Sequence, residues 1–132
     1  MNDNEFVALV ATRSGMSSEQ ATAVTRATLT TLAERIDGGE ARDLADHLPG
    51  DLRAYAFGGS ETAERFGLDV FVARVSGRAD LAPDRARDGV TAVFDVLRDA
   101  LDPTDYEQVV TQLPAEYGDV ADQTAPFVRR QA

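Results

Sequence analysis

His47 is the one histidine of the chain, and Asp43 stands four residues before it. On a helix that spacing brings two side chains to one face, close enough to interact. An imidazole beside a carboxylate is an acid/base pair, and with Glu40 as a further ligand the same residues describe a metal site. The plainer alternative is a surface histidine near a helix C-terminus, where positive charge is mildly favoured. No nucleophile or complete ligand set accompanies the pair, so no catalytic, cofactor-binding or metal-ligating residue is assigned. His47 and Asp43 stand only as candidates for a polar site.

Arg13 and Arg78 are the other polar-site candidates. They could hold an acidic ligand or partner symmetrically. Equally, they could sit as helix C-terminal charges or bridge to an internal acid such as Asp37 or Asp102. Asp95, Asp99, Asp102 and Asp105 are spaced by three and four, a pattern that can gather oxygens for a hard cation. With 23 acids in 132 residues such spacings also arise by chance, and these are read as a solvated face. No Glu stands three residues before His47, so the paired-carboxylate motif of di-metal bundles is missing. Gly58-Gly59-Ser60 lacks the strand and the Gly-Lys ending of a phosphate loop. The chain has no cysteine, which removes thiol catalysis, disulfides and cysteine-ligated metals.

The elements that must position these residues repeat. One constant shift along the chain, without a gap, lays Phe6-Val7-Ala8 on Phe71-Val72-Ala73, Arg13 on Arg78 and Met16 on Leu81. It also lays Ala21 on Ala86, Leu32 on Leu97, Asp37 on Asp102 and Leu48-Pro49 on Leu113-Pro114. The apolar positions Ala21, Leu29, Leu32 and Ile36 match Ala86, Phe94, Leu97 and Leu101, and their spacings mark one face of a helix. Ala41, Leu44, Ala45 and Leu48 match Tyr106, Val109, Val110 and Leu113 in the same way. Alternation of period two is missing, so no strand is expected. Phe6, Phe71, Leu32, Leu97, Leu48 and Leu113 are expected in the core.

This pattern predicts an all-α fold: two tandem four-helix repeats with pseudo-two-fold symmetry, packed as one compact domain over 1–132. Repeat one spans 4–56, a linker 57–68, repeat two 69–121 and a C-terminal tail 122–132, whose Pro126, Phe127 and Val128 could dock on the core. Ser17 and Gln20 form a capping box. Pro83 fits a first helical turn, and Asp102-Pro103 reads as a cap followed by a first helical residue. Gly38-Gly39 is expected to let the chain turn sharply. Leu48-Pro49 and Leu113-Pro114 should end the third helices, because proline disfavours helical geometry in the residue before it. Short fourth helices are expected near 50–57 and 115–123.

Composition narrows the setting. All 13 basic residues are arginine, Asp outnumbers Glu by 15 to 8, and the formal charge is −10. Such a balance suits a protein in molar salt, where hydrated carboxylates keep the surface wet and repulsion is screened within roughly 3 Å. A halophilic microbe, an archaeon, is the expected source; an ordinary acidic protein of a GC-rich bacterium is the alternative. A net −10 argues against nucleic acid and anionic membranes, which need a basic footprint. No apolar run approaches the ~20 residues of a membrane helix. The start, Met1-Asn2-Asp3-Asn4-Glu5, lacks a secretion signal, so the expected location is the cytoplasm.

Gly38-Gly39-Glu40-Ala41-Arg42-Asp43-Leu44-Ala45-Asp46-His47-Leu48-Pro49 carries a resemblance. Together with Phe6-Val7-Ala8-Leu9-Val10 and Leu113-Pro114-Ala115-Glu116-Tyr117, it is similar to the family called domain of unknown function 2267. The resemblance covers roughly residues 4–122. It implies a compact helical protein of bacteria and archaea, some of whose members carry the domain beside regulatory modules. It implies no catalytic residue. The second half departs from the motif, with Asp102-Pro103-Thr104-Asp105-Tyr106 in place of the Gly-Gly-Glu-Ala run.

Two functions are therefore expected. The first is a non-enzymatic interaction or regulatory module with an as yet unknown protein partner, a homodimer being one form its assembly could take. The second is a small-molecule binder or enzyme with a pocket between the repeats, served by His47, Arg13 or Arg78.

Overall fold

The computed structural model describes residues 1–57 and 61–121. Among them there are six α-helices, two 3-10 turns and no strand. Helix α1 is Asp3–Ser14, α2 Ser18–Arg35 and α3 Gly38–His47, followed by a 3-10 turn at Gly50–Ala56. Helix α4 is Leu68–Ala79, α5 Pro83–Ala100 and α6 Pro103–Val110, followed by a second 3-10 turn at Ala115–Asp119. Every element start recurs at the shift that relates Phe6 to Phe71, from Asp3 and Leu68 through Gly50 and Ala115.

Local chemistry sets the boundaries. The Ser17 hydroxyl accepts from Gln20 N at 3.2 Å, and the Gln20 side chain accepts from Ser17 N at 3.2 Å, closing the expected capping box. Asn2 and Glu5 do the same for α1. Pro83 and Pro103 each open a helix, where a missing N–H costs nothing. Asp37 caps α3 by accepting from Glu40 N at 2.8 Å, whereas the Asp102 side chain makes no such bond. Helix α3 stops at His47 before Leu48-Pro49, but α6 stops at Val110, three residues before Leu113.

One expectation needs correction. Gly38 and Gly39 do not make a left-handed turn; they are the first residues of α3. What Gly38 supplies is closeness, since a Cβ there would lie 2.9 Å from the Glu61 Cα. The short fourth helices lie where they are expected but are of the tight 3-10 kind, and the second ends at Asp119, short of 123. The linker residues Gly58-Gly59-Ser60 and the tail with Pro126, Phe127 and Val128 lie outside the described residues.

Packing is crossed between the halves. Helix α1 packs on α2 and α5, α4 packs on α5 and α2, and α3 meets α6. All six expected core residues, Phe6, Leu32, Leu48, Phe71, Leu97 and Leu113, are buried. Helices α2 and α5 approach closely at Gly89, where any Cβ would strike the Val24 side chain at 2.4 Å. Phe71 anchors an aromatic group, with its ring 6.2 Å from Phe94 and 5.6 Å from Tyr117 in an edge-on contact. The buried Thr25 and Thr31 escape the apolar pattern. Their hydroxyls bond back to the carbonyls of Ala21 at 2.6 Å and Ala27 at 2.8 Å, which satisfies them inside the helix.

Candidate functional site

Helix α3 presents Glu40, Asp43 and His47 toward α6. The His47 ring is fixed by its own helix: Nδ1 lies 2.8 Å from the Asp43 backbone oxygen, not from the Asp43 carboxylate. Its Nε2 faces Asp105 Oδ2 on α6 at 3.4 Å, and the side chain is half exposed. The Asp43 carbonyl raises the imidazole pKa, with the carboxylates of Asp105, Asp46 and Asp43 adding to it against a smaller opposing effect of burial. Glu40 is pushed up to about 7, first by burial and then by Asp43, Asp37 and Asp105, with His47 opposing. These side chains enclose no space that a water-sized sphere can enter. The His47–Asp43 side-chain pair is thus not formed. Among the described residues no three His, Asp or Glu side chains are placed to hold a metal ion. The Asp95–Asp105 series disperses, with Asp99 turned to Arg13 and Asp105 to His47.

Arg13 and Arg78 do not bridge Asp37 or Asp102. Arg13 on α1 pairs with Asp99 of α5 at 2.6 Å. Arg78 on α4 makes a two-pronged pair with Glu34 of α2, both contacts at 2.8 Å, and donates to the Thr31 hydroxyl at 2.8 Å. The acids, Glu34 and Asp99, are themselves related by the shift that relates Arg13 to Arg78, so each arginine reaches the acid of the other half that answers to its counterpart's. Glu34 also takes Arg74 at 3.0 Å. Its carboxyl is held below the usual range, first by the hydrogen bond from Arg78. Arg13, Arg78 and His47 therefore each make a contact within the fold.

A different residue lines a cleft. Arg35, at the end of α2, is only 4% exposed. Its Nε donates to the Phe66 carbonyl at 2.8 Å, and its guanidinium carbon lies 5.9 Å from the Phe66 ring and 5.7 Å from the Tyr117 ring. It makes no ion pair with a described carboxylate. With Arg65, Asp37, Glu61, Thr111 and Gln112 it lines an open cleft of about 530 Å³. Gln112 closes one wall: its amide oxygen accepts from Asp37 N, and its Nε2 donates to Asp37 Oδ2, both at 2.8 Å. The sequence did carry a signal for this site. Arg35 stands three residues after Leu32, beside the apolar stripe of α2, and its counterpart in the second half is Ala100.

Six α-helices with crossed packing and no strand among the described residues, together with the Gly-Gly-Glu-Ala segment, define a compact helical protein. The model of the uncharacterized conserved protein family DUF2267 matches residues 3–120, and the chain belongs to that family. No curated protein matches the chain.

Proposed function

We infer that this chain is a non-enzymatic interaction or regulatory module, which binds a protein partner and turns over no substrate. One observation carries the reading: His47, Arg13 and Arg78 are committed to contacts within the fold. The duplicated, two-fold reading of the chain, with repeats 4–56 and 69–121, is supported by the two crossed Arg–acid pairs. To test the reading, the partner captured from native lysate at high salt is titrated back onto the pure chain. Saturable binding is expected, together with no hydrolase or transferase turnover that depends on His47. An activity lost in His47→Gln, with the circular dichroism unchanged, overturns the reading.

The acidic composition supports a halophilic setting. At low ionic strength the Debye length reaches roughly 30 Å, so carboxylates across the whole molecule repel one another. The melting temperature should therefore rise steeply from about 0.05 M to about 1 M sodium chloride and more slowly beyond. A flat or falling curve sinks the halophile reading.

A second reading, small-molecule binding between the halves, is favoured by the cleft at Arg35. That cleft lies between the end of α2, residues 61–65 and the end of α6, with Asp37 and Gln112 joined across it.

A further inference from the structure

The geometry points to an oxyanion-binding site in the cleft at Arg35, one that receives the phosphate or carboxylate headgroup of a small organic molecule. This inference rests on the small-molecule reading and names its ligand class.

The starting point is a buried charge. Charges taken out of water are normally paired, since burial removes hydration that only a counter-charge or a dense set of hydrogen bonds replaces. The neighbouring half-buried cations of α4 have their partners: Arg78 has Glu34, and Arg74 has Glu34 and Glu64. Arg35 is more deeply buried than either, yet it has only the Phe66 carbonyl, the flanking aromatic rings and the neighbouring Tyr117 hydroxyl. Ring faces compensate a guanidinium only weakly compared with a carboxylate. A guanidinium has five N–H donors in a planar fork, which suits a two-pronged oxyanion contact.

Neither of the two carboxylates on the cleft wall pairs with Arg35. Asp37 accepts from Glu40 N through Oδ1 and from Gln112 Nε2 through Oδ2. Glu61 is held in a two-pronged pair with Arg42. Arg65, exposed on the rim, makes no ion pair with a described residue and adds a second positive charge. The cleft thus holds a buried guanidinium that no described carboxylate pairs, in a chain of net charge −10. A volume of about 530 Å³ falls within the range of small-ligand sites.

The test uses the full chain, isotope-labelled for NMR, at constant ionic strength. Inorganic phosphate and succinate are the probes, added in exchange for sodium chloride. A saturable shift is expected at the Arg35 Nε–H and the Gln112 side-chain amide, and the stronger probe tells a phosphate headgroup from a carboxylate one. Arg35→Lys keeps the charge but loses the fork, and should weaken binding by roughly 10-fold or more. Arg65→Gln alters only an exposed side chain, so it folds whatever Arg35→Lys does; it should weaken binding by roughly 3-fold to 10-fold. No saturable shift at Arg35 and Gln112 with either probe overturns the proposal. So does binding that Arg65→Gln and Arg35→Lys leave unchanged, which places the anion elsewhere and leaves the small-molecule reading standing. That reading falls separately, if a fragment screen on the same sample gives no saturable shift anywhere.

Discussion

The end of α2 and the α3–α6 edge both gather charge, and they handle it in opposite ways. At the end of α2, Glu34 takes Arg74 and Arg78 at 3.0 and 2.8 Å, with most of its side chain out of water. At the α3–α6 edge, Glu40 stands among Asp37, Asp43 and Asp105, with only His47 opposing them, and is pushed up to about 7. The first place satisfies its acid with geometry; the second leaves its acid to neutralise itself with a proton. The difference teaches that residue type says little about chemistry until water exclusion and a counter-charge are known. His47 draws the eye in the sequence yet is half exposed and fixed on a backbone oxygen. Arg35 is marked in the sequence only by its place beside the apolar stripe of α2, and it is the buried cation among the described residues.

The packing beneath both places sets the scale of effects. Leu97, 1% exposed, lies on the stripe of α5. Leu97→Ala should cost about 2–5 kcal/mol in denaturant unfolding. A loss under about 1 kcal/mol would show that the interior supporting both charged regions tolerates a cavity there.

The next effect breaks the comparison from the satisfied side. Glu34→Gln removes the charge that two arginines share, and should destabilise by about 1–3 kcal/mol. If it costs no more than an exposed ion pair does, the end of α2 is no better organised than the surface.

Glu40→Gln probes the other side and should act in the opposite direction. The folded-state pKa of Glu40 is raised to about 7 from its ordinary 4.5, so the folded chain binds that proton more tightly than the unfolded one. The ionised carboxylate therefore destabilises the fold, little below pH 4.5, increasingly up to about 7 and fully above it. His47, whose pKa is also raised, adds stability that is present below its unfolded value and lost as pH rises through its folded one. Stability should thus fall between about pH 5 and 8. Glu40→Gln should flatten that fall and raise stability at pH 8 by on the order of 1 kcal/mol, after discounting for the solvent that reaches the group. Urea unfolding at both pH values checks it; a wild-type-like slope in the variant refutes the assignment to Glu40.

The smallest effect sharpens the contrast between the two crossed pairs. Arg13 and Asp99 form a more exposed pair than Arg78 and Glu34, so Asp99→Asn should cost under about 0.5 kcal/mol. A cost equal to that of Glu34→Gln would mean that exposure does not distinguish the two.

Much of this molecule was determined by its sequence alone. The helical period and the constant shift between the halves placed Phe6 with Phe71 and Leu32 with Leu97 in the interior, because burial of an apolar stripe is a local, periodic signal. Ser17, Pro83 and the Leu48-Pro49 stop set their helix ends, because capping and proline act within a few residues. Only the tertiary structure decided which charges meet. Arg13 finds Asp99 and Arg78 finds Glu34 across the crossed packing, while Arg35 meets Phe66 and Tyr117 and no described carboxylate. These contacts join residues 31 to 86 positions apart. Chain distance carries no trace of them, and whether a charge is paired, exposed or stranded depends on which helix the fold lays across it.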